Sequence, residues 1–293
     1  MDKRQILRDG INEQRRAELR AFFDGAGLKR VSVGTTVLGR EIDMYSIGVG
    51  RDKILYVGAH HALEAITENV LFSFIYDAGM NKVVRRINGI DKAFLLQRFT
   101  FMVIPALNLD GIAIVDGTGR NNILSQRQQR MCGGDFSVWQ ANARGVDLNH
   151  NYDAGFLEYK KTEAREGIYY APTKYSGEYP ESEPECAAVA NLVRTCAPRL
   201  VLSLHTQGQE VFFHPNTPSV GRLGAKLADS IGYRLSYATG SAKYGGLCDY
   251  TGSIGIPSFT LELGLGKNPL PISHAEPIYA RISNALFALP TMI

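Results

Sequence analysis

An α/β fold is the prediction for this chain of 293 residues, with a mixed, mostly parallel central sheet flanked by helices in a single domain. Short apolar runs alternate with segments of helical spacing, which is typical of strands covered by helices on both faces. No repeat or Pro/Gly-rich linker divides the sequence, and 45% of its residues are hydrophobic, enough for one large core. We set residues 1–25 apart as an N-terminal helical extension of a main domain over residues 26–293.

The first predicted elements are a helix and a hairpin. The helix covers residues 3–25 and is charged and amphipathic. Its apolar side consists of Ile6, Leu7, Ile11, Leu19 and Phe22. Two strands follow over residues 29–38 and 41–48, and Gly39-Arg40 between them is typical of a hairpin turn.

The later strands are predicted to be buried, because each is a short, continuous apolar run. They cover residues 54–57, 99–104, 200–204 and 258–263. Helical spacing is found between and after these runs, over residues 62–76, 183–195, 220–231 and 277–289. Strands that alternate with helices in this way indicate parallel crossover connections.

Charge and cysteine content argue against several classes of protein. The formal net charge is only +3 and both signs are mixed, so no nucleic-acid partner is expected. No stretch approaches the ~18 apolar residues that cross a bilayer, so no membrane partner is expected either. The four cysteines form no C-x-x-C pair and no apolar leader follows Met1. We therefore expect a cytoplasmic protein, and a secreted one whose leader has been removed is the alternative.

Three short strings predict a metal site. His61 and Glu64 stand three residues apart in His-Ala-Leu-Glu, and His205 begins His-Thr-Gln. Two histidines and one carboxylate leave a fourth zinc position open for water, whereas a structural zinc site uses four ligands, usually rich in cysteine. Glu262 ends the apolar run Phe-Thr-Leu-Glu, where its carboxylate can take a proton from that water. The pattern indicates hydrolysis.

The candidate ligands are expected to converge on one edge of the sheet. His61 and Glu64 follow the strand at 54–57, and His205 follows the strand at 200–204. Ligands of open α/β sheets bind in the crevice outside the carboxyl ends of the strands. A His-x-x-Glu string alone is common by chance, so the prediction of a metal site depends on its position in the fold.

Longer motifs in the same order resemble those of the M14 family of zinc carboxypeptidases. Residues 58–66 resemble the first metal motif of the family, and 108–111 resemble its Asn-Pro-Asp-Gly turn. Residues 145–152, Gly-Val-Asp-Leu-Asn-His-Asn-Tyr, resemble a further family segment. The second histidine motif is matched at 204–208, and the glutamate motif at 259–262.

The resemblance covers about residues 30–290 and implies that residues 26–293 form the catalytic domain of a metallopeptidase. It implies one Zn²⁺ per chain, held by His61, Glu64 and His205. The expected partner is a peptide or muropeptide substrate. The oligomeric state is not predicted.

The family resemblance also implies roles for residues around the zinc. Glu262 would be general base and then general acid, and Asp147 would fix the ring of His61 by accepting its outer N–H. Asn149 would hydrogen-bond the substrate, and Tyr244 resembles the mobile tyrosine that closes over it. His60 stands where the family has an apolar or small residue, so we expect it to have no role.

Departures from the family pattern bear on the substrate. Leu63 and His150 stand where digestive-type members have arginines, and a neutral histidine cannot form the charged fork that clamps a C-terminal carboxylate. The arginine that stabilises the transition state has no obvious counterpart. Gln140 lies near its position in some bacterial relatives, and Arg144 and Arg130 are the candidates, with Arg144 preferred.

Bacterial members with such changes include peptidases that cut the bond between γ-D-glutamate and meso-diaminopimelate in peptidoglycan stem peptides. We expect this activity, with Asp249 contacting the diaminopimelate ammonium and His150 contributing to the substrate site. One alternative is a zinc carboxypeptidase or deacylase that acts on ordinary peptides or acylated amino acids. Another is an inactive peptide-binding protein, although such a protein would be expected to have lost a ligand or Glu262.

Overall fold

The computed structural model describes residues 2–80, 86–87, 89–214, 218–239 and 242–293. Its centre is a mixed sheet in which eight of the described strands lie in the order β1-β2-β6-β3-β7-β10-β8-β9. Helices cover both faces of this sheet, so the predicted single-domain α/β fold is confirmed. Residue 1 of the predicted N-terminal extension lies outside the described residues.

The strands of the central sheet have the following bounds: β1 Lys29–Thr35, β2 Glu41–Ile47, β3 Asp52–Gly58, β6 Phe99–Ile104, β7 Leu200–His205, β8 Glu210–Phe213, β9 Arg234–Ser236 and β10 Ser258–Glu262. Two short strands, β4 (Arg86–Ile87) and β5 (Ile90–Asp91), pair separately. The pairs β3–β6, β3–β7, β7–β10 and β8–β9 are parallel. The pairs β1–β2, β2–β6 and β8–β10 are antiparallel, which makes the sheet mixed.

The helices have the following bounds: α1 Lys3–Arg8, α2 Glu13–Gly25, α3 Ile66–Ile75, α4 Lys92–Arg98, α5 Leu109–Asp116, α6 Ser125–Met131, α7 Phe156–Glu166, α8 Pro184–Cys196, α9 Pro218–Ile231, α10 Leu247–Ser253 and α11 Ala275–Ala288. None of the described helices is long and apolar enough to cross a bilayer.

The core lies on both faces of the sheet. Alternate residues of β3 enter different clusters, because successive side chains of a strand point to opposite faces. Ile54 and Tyr56 join the cluster that contains apolar residues of α3 and α11, whereas Leu55 and Val57 join the one that contains residues of α8. β3 and β7 are therefore apolar at successive positions, as the sequence predicted for buried parallel strands.

The predicted N-terminal helix over residues 3–25 is wrong in one respect, because the structure has two helices there. The first helix ends at Arg8, and Asn12 begins the second by accepting a hydrogen bond from the amide of Arg15 at 2.8 Å. Gly10 lies in the break, where a glycine weakens helical continuity. The predicted helix over 62–76 is likewise shorter, because it starts with a 3₁₀ turn and becomes α-helical only at Ile66.

A buried ion pair attaches the N-terminal helices to the rest of the protein. The guanidinium of Arg16, in α2, donates to both oxygens of Glu68, in α3, at 2.6 and 2.8 Å. Both side chains are buried. Two parallel N–H···O bonds are the strongest arrangement of this pair, and breaking one partner leaves a charge without compensation inside the protein.

We therefore predict that Arg16→Ala lowers the free energy of unfolding by about 3–5 kcal/mol, because Glu68 is left buried and unpaired. Urea denaturation monitored by circular dichroism measures the change. Arg8→Ala is the control, since its pair with Glu276 is exposed, and there the loss should stay below about 1 kcal/mol. Equal losses in the two variants would contradict the assignment.

Candidate metal centre and its surroundings

Three adjacent strands bring the predicted ligands to one edge of the sheet. β3 ends three residues before His61, and the 3₁₀ turn Ala62–Glu64 then places Glu64 beside it. His205 is the last residue of β7, Glu262 is the last residue of β10, and the two are register partners. All four side chains thus meet at the carboxyl ends of parallel strands, where open α/β sheets bind ligands.

The geometry of the cluster suits one metal ion. The Nδ1 atoms of His61 and His205 lie 3.3 Å apart, and each faces one oxygen of Glu64, at 2.8 and 3.0 Å respectively. One ligand atom from each residue can be chosen so that all three lie within 4.8 Å of one another. Two imidazoles and a carboxylate are a donor set that zinc accepts.

The electrostatics of the cluster call for a cation. Burial acts to raise the pKa of Glu64, but His61 and His205 outweigh it and lower the pKa to about 2, so the carboxylate is ionised. Glu64 Oε2 is buried and lies 3.0 Å from Nδ1 of His205, but this contact lacks the geometry of a hydrogen bond. The pKa of Glu262 is raised well above its ordinary value, first by burial and then by the negative charge of Glu64. Two neighbouring carboxyl groups, of which Glu64 is buried, and two histidine nitrogens that face Glu64 fit a bound zinc ion.

Asp147 supports the cluster from outside. Its Oδ1 accepts a hydrogen bond from Nε2 of His61 at 3.1 Å, and its Oδ2 accepts from the backbone amide of Lys174 at 2.9 Å. Burial acts to raise the pKa of Asp147, but the charge and hydrogen bond of His61 lower it below the ordinary value. This is the contact that the sequence predicted for Asp147, and it leaves Nδ1 of His61 free for the cluster.

Asn142 anchors the loop that carries Asp147 through hydrogen bonds to two buried glutamates. The amide nitrogen of Asn142 donates to Glu183 at 2.7 Å and to Glu185 at 3.3 Å. Glu185 also accepts from the backbone amide of Val37 at 3.2 Å, so it joins this loop to the β1–β2 hairpin. Burial, followed by the charge of Glu183, raises the pKa of Glu185 from 4.5 to about 8.

A larger cavity, of about 740 Å³, opens from His61 and Glu262 on one side. Lys174, Lys267 and Gln140 also line it. The backbone of Lys174 is held by Asp147, so the position of this lysine at the cavity depends on the support of the metal cluster. This side of the site therefore carries two lysines together with the carboxylate of Glu210, which pairs with Arg234.

A smaller cavity, of about 170 Å³, opens from His61 and Glu262 on the other side. Asn149, His150 and Asp249 line it, and none of its described lining residues is arginine or lysine. The pKa of Asp249 is raised, mainly by burial, and its carboxylate accepts a hydrogen bond from the amide of Gly246 at 3.2 Å. This side of the site therefore offers a carboxyl group.

The ring of His150 is held in place by two contacts. Its Nδ1 donates to the backbone carbonyl of Tyr244 at 2.8 Å, and the ring stacks on Tyr159 with centroids 4.0 Å apart. Burial lowers the pKa of His150 despite the nearby charge of Asp147, so the imidazole is neutral. It cannot replace the arginine fork that would hold a C-terminal carboxylate.

The other predicted site residues are placed less centrally. Arg144 is half exposed and lies 3.5 Å from Glu183, and Arg130 is exposed at the end of α6. Neither belongs to the described lining of the two cavities, so the role of Arg144 in the transition state stays a prediction without a contact to support it. Tyr244 lines a third cavity, next to Asp249, and its ring packs against Gly155.

Two residues near the cluster were missed by the sequence analysis. Asn268 donates to the backbone carbonyl of Thr206 at 2.9 Å and lies 3.5 Å from Glu64. The only signal in the sequence was the Asn-Pro dipeptide, which indicates a turn and not a site. His60, which was expected to have no role, is fully buried and hydrogen-bonded to the hydroxyl of Tyr152 at 3.0 Å.

Comparison with known proteins agrees with this geometry. The profile of the zinc carboxypeptidase family, peptidase M14, matches residues 26–280. Gamma-D-glutamyl-L-diamino acid endopeptidase 1 of Lysinibacillus sphaericus is 31% identical over 262 residues, which is 86% of this chain and 64% of that protein. The chain thus spans less than two thirds of that relative's length.

Solved structures show the same fold at low sequence identity. A crystal structure of thrombin-activatable fibrinolysis inhibitor superposes with a TM-score of 0.75 at 17% identity, over 98% of this chain and 75% of that one. Murein-tripeptide amidase from Escherichia coli O157 superposes with a TM-score of 0.57 at 20% identity, over 88% and 91%. The predicted resemblance and the predicted zinc cofactor are confirmed by the family match and the cluster.

The buried carboxyl of Glu185 gives a pH-dependent prediction. The folded protein keeps a proton on Glu185 up to about pH 8, whereas the unfolded chain releases it near 4.5. Stability from this group is therefore complete at low pH and falls as pH rises through that window, by at most about 1.4 kcal/mol per pH unit. Glu185→Gln removes this titrating group. The free energy of unfolding of the variant should therefore rise relative to that of the native protein between about pH 5 and pH 8.

Urea unfolding at the two pH values measures this difference. Glu158→Gln is the matched control, because Glu158 is exposed on α7 and the same change there should leave the pH dependence as in the native protein. The raised pKa would be contradicted if the free energies of unfolding of Glu185→Gln and the native protein differed by the same amount at both pH values.

Proposed function

The chain belongs to the zinc carboxypeptidase family, and from that premise we propose that it hydrolyses the bond between γ-D-glutamate and meso-diaminopimelate in peptidoglycan stem peptides. The observation that carries this proposal is the difference in ionic groups between the two cavities beside Glu262. One is lined by Lys174 and Lys267 together with Glu210, whereas the other is lined by Asp249 and by no described lysine or arginine.

The reaction needs few groups. His61, Glu64 and His205 would hold the zinc, which when bound lowers the pKa of a water to about 7 and polarises the scissile carbonyl. Glu262, at the end of β10, receives the proton of the attacking water and delivers it to the leaving amine. Once Glu262 has taken the proton of the water, its carboxylic acid is the proton donor for the second step.

The smaller cavity suits the leaving diamino acid. In the family pattern, the residues after Asn149 and around Tyr244 contact the leaving side of the substrate, and here that side has His150 and Asp249. A neutral histidine offers no charge to a C-terminal carboxylate, whereas Asp249 complements an ammonium group. The second amine of diaminopimelate supplies such an ammonium.

The larger cavity suits the acyl side of the same bond. A γ-linked D-glutamate keeps its α-carboxylate free, close to the carbonyl that is attacked. Lys174 and Lys267 line this cavity and complement a negative charge there. The name of the Lysinibacillus relative, a gamma-D-glutamyl-L-diamino acid endopeptidase, supports the same assignment.

We predict faster hydrolysis of L-Ala-γ-D-Glu-meso-diaminopimelate than of an ordinary peptide with a free C-terminus, because only the first complements both cavities. The ratio of the kcat/KM values measures the preference. Faster release from the ordinary peptide would overturn the proposed substrate and favour a plain carboxypeptidase.

Asp249→Asn sharpens this test. It should lower kcat/KM for the diaminopimelate peptide by about 10-fold, the cost of roughly 1.4 kcal/mol from a lost charged hydrogen bond. An analogue with 2-aminopimelate in place of diaminopimelate lacks the second ammonium and is the control, on which the variant and the native protein should be alike.

Glu262→Gln is predicted to lower kcat by about 10²–10⁴-fold while zinc stays bound, because the amide cannot accept the proton of water. Steady-state assay on whichever peptide is cleaved, together with the zinc content of the variant, measures both effects. Activity that survives with a full zinc load would rule out Glu262 as the base, and absence of activity in the native protein would favour a peptide-binding role.

A further inference from the structure

A chain of buried hydrogen bonds leads away from His205, on the side opposite to the metal cluster. Nε2 of His205 lies 3.0 Å from the hydroxyl of Ser203, which lies 3.3 Å from Nδ1 of His60. Nε2 of His60 lies 3.0 Å from the hydroxyl of Tyr152. All four side chains are almost completely buried, so water does not compete for these bonds.

The direction of these bonds follows from the first of them. Nδ1 of His205 faces Glu64 and His61, so a metal ligand there requires the proton of the imidazole to be on Nε2. Nε2 then donates to Ser203, whose own hydroxyl hydrogen is left to be donated to Nδ1 of His60. His60 in turn carries its proton on Nε2 and donates to Tyr152. Ser203 and His60, in the middle of the chain, thus each accept one hydrogen bond and donate one.

The chain connects three separate parts of the fold. Ser203 lies on β7 together with His205, His60 lies just after β3, and Tyr152 follows the loop that carries Asp147. The rings of His60 and His205 also stack, with centroids 5.3 Å apart and planes inclined by 22°. The ring of His205 is thus held by a hydrogen bond at its edge and by a neighbouring ring at its face.

We infer that Ser203 and His60 are positioning residues for the zinc ligand His205, with Tyr152 as the outer end of the same network. They do for His205 what Asp147 does for His61, which is to fix the tautomer and the ring orientation of the ligand. The two supports differ in charge, because Asp147 is an anion and Ser203 is neutral.

The test measures metal binding, not hydrolysis, and so it does not depend on the proposed substrate. Zinc-loaded protein is equilibrated with increasing chelator to obtain the zinc Kd, and the visible spectrum is recorded after replacement of zinc by Co²⁺. Ser203→Ala should raise the zinc Kd by about 10–100-fold and change the cobalt spectrum, because the ring of His205 loses its acceptor.

Ser73→Ala is the matched control, since Ser73 is also fully buried but donates to the carbonyl of Asn69 within α3. It should leave the zinc Kd and the cobalt spectrum unchanged. Tyr152→Phe keeps the packing of the ring and removes only its hydroxyl, and it should raise the zinc Kd in the same direction but by less.

Native zinc affinity and a native cobalt spectrum in Ser203→Ala would overturn the inference, even if that variant unfolded more easily, because a purely structural serine would behave so. If Ser203→Ala does not fold, Tyr152→Phe decides. A zinc Kd in that variant equal to the value for Ser73→Ala would overturn the inference in the same way.

Discussion

The register between β3, β7 and β10 is the constraint on which the site depends. Gly58 pairs with Leu204 and His205 pairs with Glu262, so the three strands end together. The residues before these ends are buried, and a shift of one position would turn every side chain to the other face. The packing of the core thus fixes the positions of His205 and Glu262 relative to the end of β3, which leads to His61, although these residues are far apart in the sequence.

Much of this arrangement could be predicted from the sequence. Continuous apolar runs at β3, β6, β7 and β10 indicate buried parallel strands, and His61, Glu64 and His205 stand at their ends in family order. β8 and β9 were missed because they are short and only partly apolar, so they carry no clear period. The break at Gly10 was missed because the apolar spacing continues across it, whereas the capping side chain of Asn12 decides where the second helix begins.

The surroundings of the cluster were less predictable, because they depend on contacts between distant loops. The neutral, stacked ring of His150 follows from burial against Tyr159, and Lys174 reaches the larger cavity through the bond between its amide and Asp147. His60 was given no role because the family pattern has an apolar or small residue at that position, yet its partners Ser203 and Tyr152 are contributed by other elements. Sequence spacing gives no signal for such pairs.

We propose that one zinc ion is bound between the ends of β3 and β7 by Nδ1 of His61, Nδ1 of His205 and the carboxylate of Glu64. Anomalous scattering at the zinc absorption edge, from crystals of the zinc-loaded protein, tests this coordination. We expect a single strong peak within bonding distance of these three groups and close to Glu262. A peak elsewhere, or one bound through Nε2 of either histidine, would contradict it.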